Sequence, residues 1–275
     1  MKKFSDYYPL LRKEKISPSI LKFTFEASHI AKFANPGQFI QVRTSRDYFP
    51  LWPRPFSICD ADPGSGELSI IFKIFGCGTS QLADMRDGQE AHLLGPLGNG
   101  FHLLKDEPKV IMAAGGVGMP PLFYLAKRSI QNGYPAERIT FISGARTKDG
   151  LFNDVELSKL GIDLHSCTDD GSFGARGTVV DLLEKELENA GDRIVYACGP
   201  MAMLEKIDRM LVAEEMSGFL SLEALMPCGY GICGGCAVKV TPPKDRGPTD
   251  DNREYHLQRV CIEGPVFETG EVIWQ

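Results

Sequence analysis

Along the first hundred residues, apolar and polar positions alternate in short runs broken by Pro and Gly. Ile20 to Phe25 alternates, and Gln38 to Arg43 follows the Asn35-Pro36-Gly37 turn. Arg54 to Cys59 comes next, and Glu67 to Phe75 follows a Pro63-Gly64-Ser65-Gly66 turn. Runs of period two at this spacing predict short strands closing into a small antiparallel barrel. Ser80 to Met85 is expected to be helical. Gly95-Pro96-Leu97-Gly98 reads as a rigid turn acting as a linker.

The pattern changes near Lys105-Asp106-Glu107-Pro108. Short apolar runs at Lys109 to Ala114, Arg138 to Ser143, Asp163 to Cys167 and Asp192 to Cys198 predict strands. Helical periodicity lies between them at Met119 to Gln131 and Thr178 to Ala190, and after them from Gly199-Pro200 to about Met216. Strands alternating with helices predict a parallel sheet covered on both faces. From Ser221 the chain turns rich in Gly and Cys. The expected organisation is multi-domain: an antiparallel β-barrel over 1–104, an α/β parallel-sheet domain over 105–220, and a small C-terminal domain over 221–275.

Composition narrows the function classes. The 275 residues carry 30 basic and 36 acidic side chains, for a net charge of −6. That balance lacks the basic footprint of a nucleic-acid binder. No apolar run approaches the roughly 20 residues that span a bilayer, and no signal-peptide core follows the charged, aromatic N-terminus. The expectation is a cytoplasmic chain with no membrane or nucleic-acid partner. The five histidines are dispersed without metal spacing, and no triad or dyad of catalytic groups stands out, so the catalytic set is expected to be empty.

The eight cysteines divide in two. Cys59, Cys77, Cys167 and Cys198 are scattered and read as small packing residues. Cys228, Cys233 and Cys236 have the spacing C-x4-C-x2-C, and 24 residues intervene before Cys261. This is the plant-type [2Fe–2S] arrangement. Four thiolates must converge from a tight loop, and Gly229, Gly231, Gly234 and Gly235 permit the backbone that this demands. Amides in such a loop stabilise the cluster's negative charge by pointing at sulfur. The alternative is a structural zinc site, which usually pairs its ligands as two C-x2-C units; only one such unit is present.

Two motifs on the expected barrel suit a flavin dinucleotide. Arg54, Pro55, Phe56 and Ser57 enter a strand, where Arg can neutralise a diphosphate and Ser can reach a ring edge. Gly76-Cys77-Gly78-Thr79 precedes a helix, a setting for a pyrophosphate. Ile71, Phe72 and Lys73 offer a strand edge between them; the plainer reading is strand packing with Lys73 in solvent. In the second domain, Gly115, Gly116 and Gly118 follow a strand and open a helix, and Cys198, Gly199 and Pro200 end another. Ligands of open parallel sheets bind outside such strand ends. Gly115 to Gly118 is not the G-x-G-x-x-G fingerprint. Asp169 and Asp170 favour NAD by repelling a 2′-phosphate, whereas Arg146 favours NADP.

Taken in order, Arg-Pro-Phe-Ser, Gly-x-Gly-Thr, Gly-Gly-Val-Gly, Cys-Gly-Pro and the cysteine motif make the chain resemble the ferredoxin reductase superfamily. More narrowly, with Thr168 to Ser172 and Arg259 to Phe267, it is similar to the electron-transfer subunits of NAD-dependent dihydroorotate dehydrogenases over nearly its whole length. The resemblance implies FAD at Arg54, Pro55, Phe56, Ser57, Ile71, Phe72, Lys73, Gly78 and Thr79, and cluster ligands Cys228, Cys233, Cys236 and Cys261. It also implies an FMN-containing catalytic partner that oxidises dihydroorotate to orotate in pyrimidine biosynthesis, in an assembly of two plus two subunits. Two departures stand out: Val240 to Gln258 is longer than the family pattern and reads as an exposed loop, and Cys77 stands where Lys is expected. The rival readings are the same relay in a hydrogenase or a ferredoxin-dependent transhydrogenase, and a zinc-stapled interaction module.

Overall fold

The computed structural model describes residues 2–43, 49–151, 154–188, 191–242 and 254–274. Six strands close a barrel: β1 (Phe4–Ser17), β2 (Ile20–Glu26), β3 (Phe39–Arg43), β4 (Arg54–Asp62), β5 (Glu67–Lys73) and β6 (Glu90–Leu97), in the order β1-β2-β5-β4-β3-β6. All of its pairings are antiparallel. Helix α1 (Ser28–Ala31) follows β2, and α2 (Gly76–Ala83) follows β5. The core is aromatic: Phe23 meets Phe72 edge-on at 5.0 Å between ring centres, and Phe56 meets Phe72 at 5.4 Å. Each fully buried side chain of this size contributes about 1.5–3 kcal/mol.

Sequence reasoning misread three parts of the barrel. β1 is a strand of 14 residues in which Tyr8 and Leu10 are buried, while Arg12 to Lys15 lie outside and erase the alternation. Gly95 to Leu97 is no linker: it is the buried end of β6, with Gly95 opposite Phe4 and Leu97 opposite Phe39. Pro96 is accommodated because the β3–β6 register breaks there, between Phe39 and Gln41. Helix α2 begins at Gly76 rather than Ser80. The Thr79 hydroxyl turns back on Phe75, accepting from its amide at 2.6 Å and reaching its carbonyl at 2.8 Å.

The second sheet holds β7 (Lys109–Gly115), β8 (Ile139–Ala145), β9 (Asp163–Thr168), β10 (Ala175–Arg176), β11 (Arg193–Cys198), β12 (Gly218–Ser221) and, from the C-terminal region, β15 (Val266–Glu268). Its order is β10-β9-β8-β7-β11-β12-β15, parallel except for the edge strand β15. Helices α3 (Met119–Gln131), α4 (Asp154–Ser158), α5 (Val179–Glu188) and α6 (Met201–Ala213) connect its strands. β7 is buried from Val110 to Gly115, as a central strand covered on both faces must be. The chain winds outward from β7 to β10 and then returns to lay β11 on the other side of β7. That reversal is a topological switch point, where a crevice opens beyond the strand ends.

Strands β13 (Ala237–Val240) and β14 (His256–Arg259) form a hairpin, with Val240 opposite His256. The expected exposed loop is therefore strand at both ends. Its Pro243 and Pro248 lie outside the described residues. Among the described residues no helix is long and apolar enough to cross a membrane.

Candidate flavin, nucleotide and cluster sites

A cavity of about 360 Å³ opens where the three regions meet. The barrel contributes Pro55, Phe56 and Ser57 from β4 and Ile71, Phe72 and Lys73 from β5. The parallel sheet contributes Val117 and Cys198. The C-terminal region contributes Ser221 to Ala224, Met226 and Pro265. Six of the nine residues expected to hold FAD thus share one wall. Arg54, Gly78 and Thr79 stand apart from that wall but not from one another. A Cβ on Gly78 would lie 3.0 Å from Arg54 Nε, so the guanidinium is laid across the first turn of α2. It also donates to the Trp52 carbonyl at 2.6 Å. A cation held over amides at a helix start suits a pyrophosphate. Cys77 is exposed beside it, at the start of α2, and so is not the packing residue expected of the scattered cysteines.

A second cavity of about 580 Å³ lies at the switch point. Gly115, Gly116, Gly199 and Pro200 line it, and Lys73, Val117 and Glu223 belong to both cavities. Gly118 lines neither. Ala114 and Cys198 are register partners on neighbouring strands. The two turns that follow are in contact: a Cβ on Gly118 would come within 2.1 Å of the Cys198 carbonyl oxygen. Only glycine permits this approach. Arg146 and Asp169 both face the second cavity, whereas Asp170 is tied into its own turn, accepting from the Ser172 amide at 2.9 Å and hydroxyl at 2.6 Å. Of the two acidic residues singled out, Asp169 is the one that faces the cavity.

Burial pushes the Cys198 thiol up to about 12; the nearby Glu223 charge adds to this and a Ser221 hydrogen bond opposes it. Cys198 is therefore a neutral, polarisable wall. Glu223 is solvent-exposed on the cavity side but crowded by protein, and this desolvation holds its carboxyl above the usual carboxylate range. Sequence reasoning missed Glu223, Met226 and Pro265. Their only signal was proximity to the cysteine motif.

The cluster loop crosses the rim of the flavin-side cavity. Met226 lines it two residues before Cys228, and the Met226 carbonyl accepts from buried Gln41 Nε2 of β3 at 2.6 Å. Gly229 and Gly231 have φ of 69° and 78°, in the left-handed region. At Gly229 a Cβ would strike Gln41 and Leu97 of the barrel; at Gly231 it would strike Ile262. The thiols stand as two pairs. Cys236 and Cys261 are buried with their sulfurs 3.3 Å apart, while Cys228 and Cys233 lie toward the surface and are hydrogen-bonded to each other. The Tyr230 amide donates to Cys228 Sγ and the Gly235 amide to Cys233 Sγ, each at 3.4 Å. Burial opposes ionisation of Cys228, but hydrogen bonds from Cys233, Tyr230 and Ile232 outweigh it and bring the thiol down to about 6. Among the described residues, no three His, Cys, Asp or Glu side chains surround one metal position. Two pairs of thiols suit two irons better than one tetrahedral zinc.

Residues 223–273 match the iron–sulfur cluster binding domain of dihydroorotate dehydrogenase B, and residues 112–209 match the oxidoreductase NAD-binding domain. The electron transfer subunit of dihydroorotate dehydrogenase B (NAD(+)) from Desulforamulus reducens is 34% identical over 260 residues, covering 94% of this chain and 95% of that one. The chain belongs to this family of electron transfer subunits. The subunit of the same name from Shouchella clausii is 32% identical over 275 residues, 99% of this chain and 100% of that one. Among solved structures, one described as the NADH-dependent reduced ferredoxin-NADP oxidoreductase superposes with a TM-score of 0.82 at 28% identity, covering 97% of this chain and 90% of that one. Membership makes the chain an oxidoreductase subunit that transfers electrons between NAD and a partner catalytic subunit. The barrel, the parallel sheet and the C-terminal cluster-binding region are the parts of a ferredoxin reductase-like dihydroorotate dehydrogenase B subunit.

Proposed function

We propose that the units 1–104, 105–220 and 221–275 hold FAD, NAD and a [2Fe–2S] cluster, and that the chain serves an FMN-containing catalytic subunit. That subunit oxidises dihydroorotate to orotate in pyrimidine biosynthesis, in a cytoplasmic assembly of two plus two. Arg54 and the first turn of α2, at Gly78 and Thr79, would hold the FAD pyrophosphate. Pro55, Phe56, Ser57, Ile71, Phe72 and Lys73 would pack the ring. Gly115, Gly116 and Gly118 with Cys198, Gly199 and Pro200 would seat the nucleotide. Cys228, Cys233, Cys236 and Cys261 would ligate the cluster.

The observation that carries this reading is the shared cavity. One wall belongs to the nucleotide turn at Val117 and another to the cluster loop at Met226, with the flavin strands between them. When bound, FAD supplies the conversion between two-electron hydride chemistry and one-electron transfer. This chain's residues supply placement. Val117 and Cys198 form an uncharged boundary with the nucleotide crevice, Lys73 and Glu223 set the charge at the junction, and Gln41 fixes the cluster loop to the barrel. Beyond the loop, Leu225 and Ile232 are 85% and 86% exposed and flank the outer thiols. Apolar side chains so placed fit a partner docking over the cluster.

The test is co-expression with an FMN-containing dihydroorotate dehydrogenase catalytic subunit, followed by an assay of NAD+ reduction with dihydroorotate. Dihydroorotate-dependent NADH formation is expected, from a complex holding FAD, FMN and iron–sulfur absorption. A second reading, a ferredoxin-linked transhydrogenase, draws on the superposition on the ferredoxin-NADP oxidoreductase. It predicts ferredoxin-dependent reduction of NADP+ and no response to dihydroorotate.

A further inference from the structure

Helix α3 starts in the nucleotide turn, and its body answers to two different cores. Leu122, Phe123, Leu125 and Ala126 pack into a core made mostly by the parallel sheet, with Ile20, Cys59 and Ile71 of the barrel at its edge. Tyr124 does not: it is fully buried among the barrel residues. Its hydroxyl lies 3.3 Å from the Ala34 carbonyl oxygen and 3.5 Å from that of Ala61, and it accepts from Arg128 Nη1 at 3.4 Å. Three residues on, Lys127 makes an ion pair with Asp60. Asp60 and Ala61 belong to β4, the strand whose other end carries Pro55, Phe56 and Ser57 in the flavin-side cavity.

These contacts close a frame. From Val117 to Tyr124 the chain rises about 10 Å at helical pitch. From Ser57 to Ala61 the strand rises about 13 Å. Both legs end in the same cavity at one end and are bonded to each other at the other. The polar ties that fix the gap between Val117 and the flavin wall are those where Tyr124 and Lys127 meet β4, beside the apolar packing on Cys59 and Ile71. Burial pushes the Tyr124 hydroxyl up to about 12, so it stays protonated and able to donate.

The geometry points to Tyr124 as a positioning residue: by locking α3 to β4 it holds the nucleotide turn, through Val117, at a fixed distance from the flavin. This inference rests on the proposed flavin and nucleotide sites. Removing the hydroxyl takes away the hydrogen bond it donates to the barrel backbone while keeping the ring's volume, so α3 loses a polar tie to the barrel without gaining a cavity.

The test uses the complete holo-complex with Tyr124→Phe and, separately, Lys127→Gln. Flavin bleaching by NADH is followed in single turnover over a range of NADH concentrations, and amide exchange is followed by mass spectrometry. In Tyr124→Phe the limiting bleaching rate should fall about tenfold, since an ångström of misplacement is enough for such losses. The NADH dissociation constant and FAD content should stay within twofold, and amides 116–119 should exchange faster. Lys127→Gln should move both readouts the same way by less, and it decides the matter if Tyr124→Phe does not fold. An unchanged limiting rate, or a fall only in proportion to lost FAD, overturns the inference. If wild-type complex is not bleached by NADH, the proposed sites fail instead; unchanged exchange at 116–119 in both variants then overturns the clamp independently.

Discussion

The cluster loop and the flavin-side cavity share a rim at Met226 but are assembled in opposite ways. Three of the four cluster cysteines fall within nine consecutive residues, and the loop that carries them has little apolar interior of its own. The cavity draws on stretches of chain from all three regions, distant in sequence, and rests on a barrel core of packed aromatics. A site written locally depends on its ligand to hold it; a site assembled at long range depends on the fold beneath it. Ligand-dependent folding is the rule for small metal-stapled regions, and the barrel needs no such staple.

The sharpest way to break this comparison is to remove a proposed cluster ligand. Cys233→Ser should abolish iron–sulfur absorption and electron exchange with the partner, while FAD remains bound and the flavin is still bleached by NADH. Absorption spectra and iron content report the first half, and flavin fluorescence after denaturation reports the second. Loss of FAD along with the cluster would show that the cavity depends on the loop and erase the contrast.

The next largest effect is expected at the nucleotide turn. A Cβ at Gly118 would sit 2.1 Å from the Cys198 carbonyl oxygen, with backbone on both sides of the contact. Overpacking of this kind costs about 1–3 kcal/mol, and here the relief comes by parting the two turns that flank the crevice. Gly118→Ala should lower the melting temperature and weaken NADH binding strongly, with the iron–sulfur spectrum unchanged. Calorimetry and NADH titration check the two effects separately.

What the sequence makes legible follows the same division. The cysteine motif, its glycines, the strand-turn-helix at Gly115 to Met119 and the Cys198-Gly199-Pro200 turn are runs of adjacent residues, and adjacent residues can be read. β1 escaped notice because only Tyr8 and Leu10 of its fourteen residues are buried, and the run Arg12 to Lys15 hides the period. Gly95 to Leu97 looked like a turn because Gly and Pro punctuate turns, yet a register break between strands absorbs them. Met226, Glu223 and Pro265 became cavity walls only when β12 and β15 joined the sheet and carried the C-terminal region over the barrel. No local pattern encodes that joining. Tyr124 is a similar case: its place in the α3 periodicity marks it as apolar but does not say that it serves the other core.

The link between the two sites gives a smaller effect. Gln41 Nε2 donates to the Met226 carbonyl, and both groups are buried between β3 and the loop. Gln41→Ala strips the donor from a carbonyl that water does not readily reach, at a cost of about 1–3 kcal/mol. The expected outcome is a modestly lower melting temperature with both cofactors retained, and slower passage of electrons between flavin and cluster in a single-turnover assay. Unaltered transfer would mean that the loop is held to the barrel by the close packing of Gly229 against Leu97 rather than by this hydrogen bond.

The smallest effect belongs to Glu223, which touches both cavities. Burial raises its carboxyl above the usual carboxylate range. A carboxyl that holds its proton more tightly in the folded protein than in the unfolded chain adds to stability at low pH. That contribution is full below the unfolded value near 4.5 and disappears as pH rises through the raised folded value. Glu223→Gln keeps the shape but cannot ionise, so the part of the pH–stability slope due to this group should vanish between those two values. The variant should then be slightly the more stable protein at neutral pH, where the wild type holds a partly desolvated charge. Denaturant unfolding from pH 4 to 8 measures the difference. A parallel slope in the two proteins would mean that the water in the cavity solvates the carboxylate fully, and that the junction of the two cavities is as wet as the surface.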